Sequence, residues 1–167
     1  NETSIEVLTC LIHLAEKSPS FSLDLVTLHR YGQPHYIYRM NVEIIQPAGT
    51  QSIILIFRTA TLNKLTFQSW MHIKLLLEKI FRPTSYIHTW NSNQRDLLPL
   101  VTNYLLTENQ LKQIQIIDLQ KRFQYYFQRT FPNEFYPTVW SLASAIKTTF
   151  NECINLTEEQ YQGMKLK

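Results

Sequence analysis

The sequence predicts an α/β domain with a mixed five-stranded sheet and helices on both faces. Two observations predict this class. Short apolar or alternating segments are typical of strands, and the segments between them carry apolar residues three and four positions apart, as amphipathic helices do. One helix comes first, three strands follow, and strands then alternate with helices. The consecutive strands predict an antiparallel meander, and the alternation predicts right-handed crossovers that add two parallel strands.

The first helix and the meander occupy the N-terminal part of the chain. Residues 4–16 carry a helical apolar stripe, and Ser4 is the predicted N-cap. Residues 21–27 predict the first strand, and residues 35–46 alternate bulky and polar side chains as a half-exposed second strand does. The continuous apolar run at residues 51–57 is typical of a third strand that is covered on both faces.

Helices and strands alternate over the rest of the chain. The predicted strands are residues 85–90 and 113–119. Three of the predicted helices are residues 66–81, 120–129 and 137–153. A further predicted helix begins at Asn91 or Ser92 and carries Leu97, Leu98, Val101 and Leu105. Pro83 ends the first of these helices, because proline disrupts a helix interior.

The composition bounds the class of protein. A chain of 167 residues with 44% hydrophobic and 17% charged residues predicts one folded domain over residues 1–167. Three glycines cannot supply a GxGxxG or GxxxxGK[ST] loop, which excludes both types of nucleotide-binding loop. No apolar run is long enough to span a bilayer, so we expect no membrane contact. Because the chain does not begin with Met, we expect that the domain is excised from a longer protein.

The cysteines indicate the redox environment of the domain, and the net charge bears on its possible partners. Cys10 and Cys153 lie in predicted helices without a CxxC motif or a neighbouring cluster of ligands, so neither a structural zinc nor a disulfide is expected. We therefore expect a reducing, intracellular environment, nuclear or cytoplasmic. The net charge of +3 permits contact with nucleic acid, but the basic residues are scattered and do not form runs.

Asp24 is the unusual residue of the first predicted strand. It lies inside the apolar segment of residues 21–27, although Asp is disfavoured in strands and an unpaired buried carboxylate is costly. Three interpretations are open. The carboxylate binds a metal ion, it pairs with a cation, or it faces solvent.

The order of elements, with an acid on the first strand, resembles the ribonuclease H-like fold and in particular the DEDD-type 3′ to 5′ exonuclease family. The resemblance covers about residues 4–155 and implies four acids that hold two divalent metal ions for phosphodiester cleavage. Asp24 matches the first acid of that family. Asn91 and Asp96 resemble its second motif, with a spacing one residue longer than usual.

The chain departs from the family at the other positions. Val26 stands where the family has Glu, and Trp140 and Ser144 fall where it has Tyr and Asp. A magnesium ion requires hard oxygen ligands, and Val26 offers none. These departures predict a domain that is inactive as a nuclease and needs no cofactor.

An active nuclease with a rearranged metal site is the alternative. Asp24, Asp96 and Asp118 would then hold Mg²⁺ or Mn²⁺, with help from Glu43 or Glu134. Against a metal role for Asp118, its place before the helix at residues 120–129 is typical of an N-cap, which is the interpretation we favour.

Basic and aromatic residues are interleaved in the helix at residues 120–129. Lys121, Arg122, Tyr125, Tyr126 and Arg129 could contact phosphates and stack on the bases of single-stranded RNA or DNA. The other interpretation, which we favour from the sequence, is a core face on one side of this helix and a partner surface on the other. The resulting hypothesis is an inactive exonuclease-like domain in a nucleic-acid-associated protein. Its partner would be another protein or another domain of the parent chain, and single-stranded RNA or DNA binding without cleavage is a further alternative.

Overall fold

Five strands form one mixed sheet in the computed structural model, in the order β3-β2-β1-β4-β5. β1 pairs antiparallel with β2, β2 pairs antiparallel with β3, and β4 runs parallel to β1. This arrangement confirms the predicted meander and the mixed sheet. The strands are β1 (Ser20–Leu28), β2 (Tyr36–Ile44), β3 (Ile53–Arg58), β4 (Tyr86–Thr89) and β5 (Gln115–Asp118).

One helix precedes the strands, and the others lie between and after them. They are α1 (Ile5–Lys17), α2 (Phe67–Ile80), a 3₁₀ helix (Gln94–Leu97), α3 (Leu98–Thr102), α4 (Glu108–Gln113), α5 (Leu119–Thr130) and α6 (Leu142–Phe150). The structure describes residues 3–28, 36–46, 51–58, 62, 64–92, 94–132, 137 and 139–150. Within these ranges no helix is both long enough and apolar enough to cross a bilayer. The chain divides into two compact units, Asn1–Ile117 and Asp118–Lys167.

Side-chain caps explain where several helices begin. Ser4 accepts a hydrogen bond from the backbone N–H of Val7 at the start of α1, as predicted, and Thr66 accepts one from Ser69 at the start of α2. The short helix α4 was not predicted. Its start is fixed by a reciprocal capping box between Thr107 and Gln110, a signal that is present in the sequence although the segment lacks apolar periodicity.

The prediction of a helix that begins at Asn91 or Ser92 is wrong. Asn91 has φ 55, in the left-handed region, whereas an N-cap residue has extended backbone angles. The helical segment begins later, at Gln94, as a single 3₁₀ turn, and α3 ends at Thr102. The predicted helix at residues 137–153 also begins later, at Leu142, and Cys153 lies outside the described residues.

The hydrophobic core of the first unit lies on one face of the sheet, which we call the core face. β1 and β2 alternate there, so that Phe21 and Leu23 of β1 are buried opposite Ile44 and Val42 of β2. Helices α1 and α2 pack on this face through their apolar stripes, and they contribute Leu8, Ile12, Ala15, Ile73, Leu76, Leu77 and Ile80 to the core. Burial of each leucine or isoleucine side chain in this set stabilises the fold by about 1.5–3 kcal/mol.

Polar contacts join the C-terminal end of α1 to α2 and to Arg82, which follows α2. The Arg82 guanidinium donates hydrogen bonds to the backbone carbonyls of Glu16 and Ser18 at 2.8 and 2.9 Å, so it satisfies acceptors at the C-terminus of α1. Lys79 Nζ lies 2.6 Å from Glu16 Oε1. This hydrogen-bonded ion pair holds the pKa of the Glu16 carboxyl below its ordinary value.

Strand β3 corrects the prediction that it is covered on both faces. It lies at the edge of the sheet, and its side chains alternate between half-buried or buried and exposed. Phe57 is buried, whereas Ile54 is 67% exposed and Ile56 is 60% exposed. A run of β-branched residues predicts a strand well, but it does not say whether both faces are covered.

A β-bulge interrupts the pairing of β1 and β2. Val26 is opposite Arg39, but the next residue, Thr27, is opposite Ile37, so Tyr38 is an extra residue on β2. Ile37 is fully buried and Tyr38 is 46% exposed.

The second unit, described by itself, contains α5 and α6. The aromatic rings of Phe123 and Phe127 pack against Trp140, with ring centroids 5.0 and 4.8 Å apart, and Phe131 packs against Phe127. The buried Gln120 side chain donates a hydrogen bond to the Trp140 carbonyl. These contacts bury one side of α5.

Candidate functional site

Asp24 lies on the face of the sheet opposite the core face, which we call the polar face. Its carboxylate is exposed and accepts a hydrogen bond from Asn41 Nδ2 at 2.9 Å. Asn41 is the residue directly opposite Asp24 on β2, so the contact follows from the strand register. Among the interpretations left open by the sequence, the structure gives an exposed carboxylate with a neutral amide partner.

The register places three further charged residues on the polar face. Glu43 accepts a hydrogen bond from Ser22 Oγ at 2.8 Å. Arg39 lies two positions before Asn41 on β2, and Arg58 is directly opposite Arg39 on β3. With Asp24, the polar face of β1, β2 and β3 therefore carries two acids and two arginines.

Val26 is the position at which the resemblance to the exonuclease family implies a second acid, and the residue opposite it is cationic. Val26 is directly opposite Arg39 in the antiparallel pair. The Cβ atoms of such opposite residues lie about 4.5–5.5 Å apart. The Nε atom of Arg39 is buried and has no hydrogen-bond partner. Residue patterns along the chain carry no sign of this pairing, because it depends on the register between two strands.

Asp96 follows β4 and lies in the 3₁₀ helix, with an exposed side chain. It belongs to the first unit, as Asp24 does. In the part of the chain that the structure describes, no three His, Cys, Asp or Glu side chains come together in a group that could hold a metal ion. Glu134, named for the alternative metal site, lies outside the described residues.

Asp118 caps helix α5, as expected from the sequence. Its Oδ1 atom accepts a hydrogen bond from the Gln120 backbone N–H at 3.0 Å, and its Oδ2 atom lies 3.6 Å from Lys121 Nζ. Both carboxylate oxygens thus have partners within the second unit. A helix N-terminus favours a carboxylate, because it exposes backbone N–H donors and the positive end of the helix dipole.

Ser144 and Trp140 also have structural roles within the second unit. The Ser144 backbone N–H and hydroxyl both contact Ser141 Oγ, at 3.0 and 2.7 Å, in the first turn of α6. Trp140 is buried in the aromatic cluster beside α5.

The family that the sequence resembles implies two divalent cations, and the donors on the polar face do not fit them. Divalent magnesium takes several oxygen ligands in near-octahedral geometry. The Val26 side chain supplies no oxygen, and the residue directly opposite it is Arg39. Of the two carboxylates on this face, Asp24 accepts a hydrogen bond from the Asn41 amide and Glu43 accepts one from the Ser22 hydroxyl.

The exposed side of α5 carries the basic and aromatic residues noted in the sequence. Lys121, Arg122 and Arg129 are exposed, Tyr125 is 66% exposed, and Tyr126 is 60% exposed. The buried side of the same helix carries Phe127 and Gln120. The structure thus separates the aromatic residues of this segment into a packed set and an exposed set, a division that spacing alone did not resolve.

Comparison with known proteins relates the fold to solved structures. No protein-family model matches the sequence, and no curated protein is similar to it at a significant level. The structure is similar to the EXO domain of Aedes aegypti Nibbler, with a TM-score of 0.59 and 9% identity over 97% of this chain and 78% of that chain.

Two ribonuclease D structures are also similar. Escherichia coli RNase D, an exoribonuclease involved in structured RNA processing, gives a TM-score of 0.56 with 14% identity over 96% of this chain and 39% of its own. Trypanosoma brucei RNase D in complex with RNA U12 gives a TM-score of 0.56 with 14% identity over 91% of this chain and 46% of its own. This chain thus spans less than half of either RNase D chain. It has the ribonuclease H-like fold of DEDD-type exonuclease domains.

Proposed function

We propose that this chain is a non-catalytic exonuclease-like module that binds a protein partner within a larger nucleic-acid-associated protein. The absence of catalysis is supported by one observation, the position of Arg39 directly opposite Val26 on the polar face. At the position where the resemblance implies a second acid, this chain has an apolar side chain, and Arg39 is directly opposite it on the neighbouring strand.

The charges of the polar face support this proposal. Asp24 and Glu43 are balanced by Arg39 and Arg58, so these four residues have no net charge. A dication at this face would meet guanidinium groups as well as carboxylates, so the attraction and the repulsion would oppose each other.

A nuclease assay tests the absence of catalysis. The chain is incubated with 5′-labelled single-stranded RNA and DNA in Mg²⁺ and in Mn²⁺, beside Asp24→Ala as the matched variant. We expect no shortening of either substrate. Metal-dependent trimming that disappears in Asp24→Ala would overturn the proposal and favour the alternative of a rearranged metal site.

The edge strand β3 supports the second part of the proposal. Proteins usually protect an edge strand with charged side chains or with a covering element, since its free backbone groups pair readily with another strand. β3 instead exposes Ile54 and Ile56 on the polar face. An extended segment of a partner could add to this edge, with apolar side chains packed on the two isoleucines.

The partner surface is tested by substitution in the native cell. Ile54→Lys with Ile56→Lys should abolish proximity labelling of the partner or of the adjoining domain. Val7→Lys is the control, because Val7 is also exposed, at 49%, but lies on α1. If the double lysine variant and the Val7→Lys control gave equal labelling, a partner contact at β3 would be contradicted.

A further inference from the structure

One side of α5 presents a regular row of arginine and tyrosine side chains. Arg122, Tyr125, Tyr126 and Arg129 are spaced i, i+3, i+4 and i+7, which places them along one face of the helix. We call this row the α5 stripe. All four side chains are exposed. At about 1.5 Å of rise per residue, the row extends over roughly 10 Å.

The opposite side of α5 holds the helix in place without the stripe. Phe123 and Phe127 pack against Trp140, and the Gln120 side chain bonds to the Trp140 carbonyl. The two tyrosines of the stripe are therefore not needed to anchor α5, and their exposed apolar surface has no role in the core of the second unit.

The stripe is cationic and has no neutralising acids of its own. Residues 119–130 include no Asp or Glu, and the nearest acid in the chain before them, Asp118, caps the helix and contacts Lys121. Among the described residues, neither Arg122 nor Arg129 has a hydrogen-bond or ion-pair partner. Two guanidinium groups with free donors thus flank two exposed aromatic rings.

We propose that the α5 stripe binds single-stranded nucleic acid. Its tyrosine rings would stack on bases, and its guanidinium groups would pair with phosphates, the combination by which single strands are bound without sequence preference. A helix that docks on a protein presents aliphatic or aromatic anchors to an apolar groove. The stripe has no aliphatic residue, and both ends carry charge, so a phosphate backbone is the better complement. This proposal requires no cleavage and is independent of the partner surface on β3.

Fluorescence anisotropy with labelled oligouridylate and oligothymidylate measures this binding, in EDTA so that no metal-dependent reaction interferes. Tyr125→Ala with Tyr126→Ala should weaken binding by about tenfold for each base that loses its stacking partner, since one such stack is worth about 1–3 kcal/mol. Tyr104→Ala is the matched control, because Tyr104 is 82% exposed and lies in the first unit. It should bind as the unchanged chain does.

The arginines are tested by salt dependence. Each phosphate contact on a single strand contributes about 0.7 to the slope of log K against log salt concentration, so Arg122→Gln with Arg129→Gln should reduce this slope by about 1.4. Lys64→Gln with Lys112→Gln removes the same charge from exposed sites outside the stripe and should leave the slope unchanged.

Three results would overturn the proposal. The first is unchanged affinity in the stripe variants with helix content retained by circular dichroism. The second is an equal reduction of the salt slope by Lys64→Gln with Lys112→Gln, which would show that net charge alone governs binding. The third is equal affinity for a duplex, because paired bases cannot stack on the tyrosines. None of these results depends on whether the chain cleaves nucleic acid, so this proposal and the proposed function fail separately.

Discussion

The two faces of strand β1 have different roles, although their residues alternate along one segment of chain. On the core face, Phe21 and Leu23 are buried beneath α1 and α2. On the polar face, Ser22 and Asp24 bond to single side chains of β2. A core accepts substitutions that keep apolar character and volume, whereas a metal site depends on each individual ligand. This difference explains how a fold can be shared at 9–14% identity.

The largest expected effect is on the core face. Phe21→Ala removes a fully buried ring and leaves a cavity, so we expect the free energy of unfolding to fall by about 3–5 kcal/mol. Urea denaturation followed by circular dichroism measures the change. A decrease below about 1 kcal/mol would mean that the site collapses around the smaller side chain and that the core face is less tightly packed than the structure indicates.

Substitution of Ser22, the neighbour of Phe21 on the polar face, should lower the free energy of unfolding by less. Ser22→Ala removes one half-buried hydrogen bond to the Glu43 carboxylate, and we expect a loss of about 1 kcal/mol. The same denaturation experiment, combined with Glu43→Ala in a double-mutant cycle, isolates this contact. If Ser22→Ala destabilised the chain as much as Phe21→Ala does, the contrast between the two faces would not hold.

The next prediction concerns an acid introduced at position 26. Val26→Glu restores an acid on the polar face, where we expect it to pair with Arg39 and not with a metal ion. A double-mutant cycle with Arg39→Gln should give a favourable coupling of about 0.2–1 kcal/mol. Isothermal calorimetry with Mn²⁺ is the second measurement. Tight binding of Mn²⁺ by Val26→Glu would show that one substitution is sufficient to restore the metal site.

The smallest effect concerns the surface of the helices that cover the core face. Because Lys79 holds the folded-state pKa of Glu16 below 4.5, the ion pair stabilises the fold above pH 4.5, and this contribution is lost as the pH falls through the lowered pKa. Glu16→Gln should therefore lower Tm slightly near neutral pH and leave it unchanged in strong acid. A Tm difference that grew as the pH fell would contradict this sign.

Local signals in the sequence predict much of the fold. The apolar spacing of α1 and α2, the cap at Ser4 and the alternation of β2 are all short-range patterns, and they gave the order of elements and the class of sheet. Asp118 was also correctly interpreted as a cap, because N-capping depends on residues within one turn.

The polar face could not be predicted in the same way. The neighbours of Val26 depend on the register of β1 with β2, and Arg58 reaches Arg39 only through a second register. Registers are set by turns and bulges far along the chain from the residues that they bring together. For the same reason, the sequence of β3 did not indicate that it is the edge strand.

The bulge after Val26 changes which residues of strand β2 point to each face of the sheet. In a regular strand Ile37 and Arg39 would point to the same side, since they are two residues apart. The extra residue Tyr38 reverses the alternation, so that Arg39 is on the polar face while Ile37 is fully buried. One inserted residue thus lets a single strand place a cation beside Val26 and an apolar anchor in the core. Removal of Tyr38 would make the two positions compete for one side of the sheet.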